Sequence, residues 1–312
     1  MHLRQRDTYW DTLKGLLIFL VVLGHTGSCL GERWTSVIYV FHMPLFIFVS
    51  GYFSGRKKNE KFMEGIKMLL VFYLLFHALY LVYDFKTGNS LSLGRLLTPS
   101  FGLWYLLSLC YWRCITQFFH TSLERFPVLF IMGAILLSVG TGFIPIDSQM
   151  SFQRTFTFLP FFLFGYYTKQ FNWIERIKQW NPFFISSFIV VLLGIVYYSI
   201  PPFYANTHFK EMNDCWIRCQ QMVLALLICI CMIRIVPKRI PVVTQLGTYT
   251  LIVYLFHPPL ILLGKRLLDC FHIPHHLFTG IVIAVVAIAF ISFIRDWKFV
   301  RFFNRWFSWK RF

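Results

Sequence analysis

The chain has 312 residues, 57% of them hydrophobic and 14% charged, with a mean hydropathy of +0.61. Its apolar runs are too many and too long for the core of a soluble domain, so the expected fold is an all-α, polytopic integral membrane protein. Thirty Lys and Arg against thirteen Asp and Glu give a formal charge of +17. In a soluble chain that excess would suggest nucleic acid; here the cations stand between apolar runs, the pattern of inner-face loops under the positive-inside rule, and no nucleic-acid partner is expected.

The first stretch, DTLKGLLIFLVVLGH from Asp11 to His25, opens with a polar turn and then places an imidazole where a membrane span should hold only hydrocarbon. An ionisable group at that depth is costly unless it faces protein or a wet cavity, so His25 is a functional candidate by default. Lys14 lies about 16 Å below it along a helix axis at 1.5 Å per residue. His25 interrupts the apolar core and no small-x-small site follows, so this is read as an uncleaved first span.

Runs of about 17 to 25 mostly apolar residues predict ten membrane helices, over 14–30, 36–54, 65–84, 102–120, 126–144, 154–169, 182–200, 217–235, 243–264 and 277–295. The sixth is the weakest, short and interrupted by Pro160. With the N-terminus inside, the inner segments carry 22 of the 30 basic residues, which predicts both termini on the cytoplasmic side. Residues 1–295 form one transmembrane domain. The tail from 296 to 312, DWKFVRFFNRWFSWKRF, interleaves cations with aromatic rings and suits the headgroup interface, with membrane lipids as partners. No internal repeat is evident. The eight cysteines lack CxxC or zinc spacing and are read as free thiols, Cys215 and Cys219 included.

Under this topology His25, His42 and His257 all land in the outer half of the bilayer within about one or two helical turns of a common depth. Coincident depth suggests a shared cavity, which His77 joins on the same argument. No two of these histidines stand at i, i+3 or i, i+4, so no metal site is expected. His272, His275 and His276 read as a solvated turn. A neutral imidazole is the usual base for taking a proton from a hydroxyl in acyl transfer. No GxSxG elbow, Cys/His signature or P-loop is present, so the pattern suggests direct attack of an acceptor hydroxyl on an activated acyl group. The alternative is a transporter or flippase for a polar glycan or lipid, against which stands the lack of a mid-span Asp or Glu relay.

These residues resemble the membrane-integral acyltransferase family 3, in its fucose 4-O-acetylase-like branch. The resemblance is carried by DTLKGLLIFLVVLGH, with Asp11, Lys14, Gly15, Gly24 and His25, and by FHMPLFIFVSGYF from Phe41 to Phe53. LWYL (Leu103 to Leu106), FLPFFLFGY (Phe158 to Tyr166) and YLFH (Tyr254 to His257) add weaker support. The resemblance implies about ten helices, cytoplasmic termini, a bacterial inner membrane, and transfer of acetyl from acetyl-CoA, without a metal, to a hydroxyl of a cell-surface or lipid-linked sugar.

It also implies roles for particular residues. The CoA phosphates would dock at Lys14, Arg56, Lys57 and Lys58, with Asp11 either orienting Lys14 or capping the helix. His25 would act as base, and His42 or Tyr254 would bond the developing oxyanion beside His257. Arg154 would meet the acceptor or a lipid headgroup, with Trp104 as a second substrate contact. The family more commonly has Arg where this chain has Lys14, which replaces a bidentate phosphate contact by a point charge.

Overall fold

The computed structural model describes residues 7–88, 92–145, 149–199 and 208–297. Regular structure among these residues is entirely helical. The helices are α1 (Thr8–Gly24), α2 (Gly27–Leu30), α3 (Glu32–Tyr52), α4 (Asn59–Lys86), α5 (Leu93–Leu97), α6 (Trp104–Phe118), α7 (His120–Arg125) and α8 (Pro127–Gly140). They continue as α9 (Phe152–Gln170), α10 (Trp173–Lys178), α11 (Pro182–Ser199), α12 (Met212–Ile235), α13 (Pro241–Leu246), α14 (Thr250–Cys270) and α15 (Leu277–Ile294), with three short 3₁₀ turns between them.

A helix of at least 14 residues lies in each of the ten predicted stretches, but the ends differ: α4 and α12 run past their apolar segments, α1 stops at Gly24 instead of 30, and the predicted 243–264 span is broken at Gly247–Tyr249, between α13 and α14. The first helix starts at Thr8, where the Asp7 side chain caps it by accepting from the Tyr9 amide at 3.0 Å. It ends at Gly24, where the Thr26 hydroxyl donates to the Leu23 carbonyl at 2.7 Å and turns the chain. Asp11 is therefore not the cap, which settles one of the two roles open to it. Of the short helices, α5, α7 and α10 lie between apolar runs and leave no run-length signal, whereas α2 falls inside the predicted 14–30 run and α13 overlaps the 243–264 run.

Among the described residues six helices are long and apolar enough to cross a membrane, namely α3, α4, α11, α12, α14 and α15. The side chains of α11 show why such a helix needs lipid: Phe183, Phe184, Phe188, Val190, Val191, Ile195 and Tyr198 are all exposed on the protein. A patch of that size in water would drive aggregation. The other four predicted spans fall short by length or polarity. Helices α1, α6 and α8 have 17, 15 and 14 residues, and α9 carries Gln153, Arg154 and Lys169. Of the predicted tail, Asp296 and Trp297 fall within the described residues and the remainder lies outside them.

The chain forms two compact units. Among the described residues the first comprises 7–46, 173–199 and 221–297; the second comprises 47–88, 92–145, 149–172 and 208–220. In the first, α1 is the core element, with Leu13, Leu17, Ile18 and Val22 wholly buried and with α13, α14 and α15 packed on it. Two glycines permit the closest approach. A methyl group on Gly15 would collide with the Val243 carbonyl, and one on Gly247 with the carbonyl of Asp11. Small residues let backbones touch where lipid supplies no hydrophobic drive for association. A hydroxyl pair, Thr12 Oγ1 to Thr244 Oγ1 at 2.7 Å, closes the same seam.

The second unit is built around α9, which the sequence marked as the weakest span. Thirteen of its residues are buried, and the helix continues through Pro160. It packs against α6 and α8. Gly51 abuts the Phe162 carbonyl while Gly165 abuts that of Phe48, a reciprocal arrangement that brings the end of α3 onto α9. Trp112 Nε1 donates to the Thr155 carbonyl at 3.0 Å, and Ser108 shares hydrogen bonds with Ser151 and Thr155. All eight cysteines carry free thiols.

Candidate active site

The first unit gathers three of the predicted histidines through the end of α1. His25 is the C-cap residue of α1, half-buried, with its amide bonded to the Val21 carbonyl at 3.1 Å. It thus stands at the helix end rather than within it, where the chain turns into α2. Its imidazole lies 5.0 Å, centroid to centroid, from that of His257 on α14. Tyr254, one turn earlier on α14, lies 6.1 Å from His257. His42 on α3 is within electrostatic reach of His25, as is His257.

Hydrogen bonding fixes which nitrogen of two rings is basic. A carbonyl can only accept, so His42 Nδ1 donates to the Ile38 carbonyl at 2.6 Å and His257 Nδ1 to that of Val253 at 2.9 Å. In each neutral ring the lone pair is then on Nε2. His257 is fully buried, and its Nε2 has no hydrogen-bond partner among the described residues. Such a group is expensive to bury unless something else meets it. The YLFHPP sequence contributes here: Pro258 and Pro259 lack the amide protons that would continue the helical ladder to the carbonyls of Tyr254 and Leu255.

Two residues join this group without a signal in the sequence. Tyr39 bridges α3 and α1, its ring 5.1 Å from that of His42 and its hydroxyl 3.4 Å from the Gly24 carbonyl. Lys265, two turns beyond His257, donates from Nζ to the His25 carbonyl at 3.2 Å. A cation at that place is favourable, because the last carbonyls of a helix carry its negative end. Only the fold brings Lys265, 240 residues away in the chain, to the end of α1.

Lys14 does not stand as an open point charge. Its ammonium is 2.8 Å from Asp11 Oδ1, and the two side chains are only 5% and 4% exposed. The spacing i, i+3 makes them neighbours on α1. Asp11 therefore takes the first of its two expected roles, holding Lys14.

The remaining candidates belong to the second unit. Among Arg56, Lys57 and Lys58, the first and third are exposed while Lys57 is half-buried. Lys57 lines a small pocket with Lys61 and Arg113. Gln117 fixes this loop by accepting from the Lys57 amide and donating to its carbonyl, both at 3.0 Å. Desolvation, reinforced by the charges of Arg113, Lys169 and Lys61, lowers the Lys57 ammonium from the usual 10.5 to about 8. Arg154 and Trp104 meet as a cation–π pair, with the guanidinium 5.3 Å from the ring centroid, and the Trp104 ring stacks on Phe158 at 5.4 Å.

His77 is committed elsewhere. Its two ring nitrogens bond Ser100 Oγ at 3.1 Å and the Leu96 carbonyl at 2.9 Å, and Arg95 ties Ser100 to Asp84. It is a structural pin of the second unit. In the His272 to His276 turn, His276 caps α15 by a reciprocal bond with Thr279, and His275 pairs with Asp269 at 2.8 Å.

The chain is 28% identical over 178 residues to nodulation protein NolL of Mesorhizobium japonicum, covering 52% of this chain and 47% of that protein. It is 29% identical over 184 residues to nodulation protein NolL of Sinorhizobium fredii, covering 52% and 48%. The chain thus spans about half the length of the curated relatives it matches. No solved structure matches it. The acyltransferase domain profile matches residues 7–294, a span that takes in α1 with His25, the whole of α14 and nearly every described residue, and the chain therefore belongs to the acyltransferase 3 family.

Proposed function

We propose that the protein is a membrane-bound O-acyltransferase moving acetyl from acetyl-CoA to a hydroxyl of a cell-surface or lipid-linked sugar. In this reading ten helices cross a bacterial inner membrane and both termini are cytoplasmic. The observation that carries it is the His25–His257 pair at 5.0 Å, with a buried basic nitrogen on the second ring, inside the region matched by the acyltransferase profile.

The chemistry follows from the rings. His25 takes the proton of the acceptor hydroxyl as its oxygen attacks the thioester carbonyl carbon. The tetrahedral intermediate then collapses, the C–S bond breaks, and the CoA thiolate leaves with the proton returned from the imidazolium. His257, whose Nε2 can only accept while the ring is neutral, orients His25 by receiving its ring N–H. Between the two oxyanion candidates the geometry favours Tyr254, because His42 has already given its ring proton to Ile38. His42 then serves as an acceptor beside His25.

The Asp11–Lys14 pair, Arg56, Lys57 and Lys58 are proposed as donor-binding groups, Lys57 being the one supported by a pocket. Arg154 and Trp104 are proposed to contact the acceptor.

Replacing His25 with Ala should abolish acetyl transfer while insertion and abundance stay at wild-type levels. The measurement is mass spectrometry of surface glycans from a deletion strain carrying either version. Acetyl groups retained with the His25→Ala protein would overturn the assignment.

A further inference from the structure

At the foot of α1 the first unit holds a groove that none of the roles above uses. Its walls include Asp7 and Tyr9 from the start of α1, Lys178 from the end of α10, and Arg234, Lys238 and Arg239 from the end of α12 and the loop after it. Four cations face one carboxylate, and that carboxylate is occupied in capping α1. The groove has a volume of about 980 Å³, at the upper end of the roughly 300–1,000 Å³ of a small-molecule pocket. It therefore admits a ligand of nucleotide size rather than a lone ion.

The cations are placed but not neutralised. Lys178 Nζ sits 3.8 Å from the centroid of the Tyr9 ring, and the Tyr9 hydroxyl donates to the Ile233 carbonyl at 2.6 Å, so that wall of the groove is rigid. Arg234 Nε donates to the Trp180 carbonyl at 2.6 Å, which fixes the plane of a guanidinium whose terminal nitrogens make no other hydrogen bond among the described residues. The Lys238 and Arg239 side chains have no ion-pair partner among the described residues. Partial desolvation lowers the Lys178 pKa; Asp7 opposes this, Lys238 adds to it and Glu175 opposes it. Cations crowded around an open groove with so little counter-charge define a site for a polyanion, and two planar guanidiniums beside two ammonium groups match phosphate oxygens.

We propose that this groove is a phosphate-ester site, read by Lys178, Arg234, Lys238 and Arg239. Two ligands present that chemistry: the nucleotide end of an acyl-CoA, an identification that rests on the acyltransfer reading, and the headgroup of an anionic phospholipid. Helix α1 starts in the groove wall and ends at His25, about 24 Å away at 1.5 Å per residue.

The test uses the full chain with Lys238→Gln/Arg239→Gln, on exposed loop residues, and Lys238→Arg/Arg239→Lys as the charge-conserving control. Coenzyme A binding is measured by calorimetry in an uncharged detergent. Retention of phosphatidylglycerol is measured by native mass spectrometry after reconstitution in phosphatidylcholine–phosphatidylglycerol nanodiscs. The expected result is a loss of about 10- to 100-fold in affinity for one of the two ligands in the Gln variant, with the control near wild type.

Loss for coenzyme A identifies the donor as the source; loss for phosphatidylglycerol alone identifies lipid. If the wild-type protein binds coenzyme A and neither ligand is affected by the Gln variant, the groove assignment falls while the acyltransfer reading stands. If the wild-type protein does not bind coenzyme A at all, that reading loses its donor, and the phosphatidylglycerol arm still decides the groove.

Discussion

The buried Asp11–Lys14 pair offers a sharp perturbation, because two ions at 2.8 Å and about 5% exposure make removal of one partner very different from removal of both. In Asp11→Leu an ammonium remains buried without its carboxylate. Breaking a buried pair in this way costs about 3–5 kcal/mol, whereas replacing both members by apolar residues of similar volume is often neutral or stabilising. Asp11→Leu or Lys14→Met alone should therefore lower the thermal midpoint in detergent by several degrees and reduce folded yield. Asp11→Leu/Lys14→Met should recover most of that loss. Acetyl transfer separates the two roles of the pair: if it contributes to donor binding, the double variant is well folded and inactive. A double variant as unstable as the singles would refute the physical argument, and one that is both stable and fully active would remove the pair from the functional site.

The close helix contacts predict opposite outcomes for chemically identical changes. Gly15→Ala, Gly247→Ala, Gly51→Ala and Gly165→Ala each drive a methyl group into a backbone carbonyl and should cost about 3 kcal/mol or more in folding, at the upper end of overpacking effects. Gly133→Ala, with nothing within 4 Å of the new methyl and a position inside α8, should stabilise by about 0.5–1 kcal/mol; thermal scans of purified protein compare them. Lys57 gives a pH test. Its ammonium is lowered from 10.5 to about 8, so between those values the unfolded chain binds a proton that the folded one has released, and stability rises with pH across that window. At pH 7 the lysine is charged in both states and its desolvation is fully felt. Lys57→Met should accordingly raise stability at pH 7 by roughly 1 kcal/mol, discounted for partial exposure, with the gain fading from pH 8 toward pH 10.5; a gain that grows with pH would contradict the assignment.

Much of this protein was legible from residue order. Apolar run length marked the stretches that hold the ten long helices among the described residues, although one run joined α13 to α14, and the imidazoles at 25, 42 and 257 were singled out because an ionisable group among hydrocarbon residues demands an explanation. The DTLKGLLIFLVVLGH segment pointed to the family that the profile match establishes. Depth arithmetic along separate helices also grouped His25 with His257, whose rings lie 5.0 Å apart. The same arithmetic grouped His77 with them, yet both of its ring nitrogens are bonded within the second unit. Depth is one coordinate of three, and it says nothing about which face of a helix a residue occupies or what waits opposite.

Tertiary contacts made the remaining decisions. Whether Lys14 is an open cation or half of a closed ion pair depends on the environment of one helical turn. Whether Lys265 is a loop charge or the group that caps α1 at His25 depends on α14 returning to a helix end 240 residues earlier. The tautomers of His42 and His257 follow from carbonyls at i−4 that any helix offers and only some side chains turn back to reach. Composition and periodicity determine what a segment can bury and which solvent it needs, because those energies scale with the segment's own atoms. Which polar atoms meet is decided by packing between distant segments, since a hydrogen bond or an ion pair depends on distances of a few tenths of an ångström that no local pattern encodes.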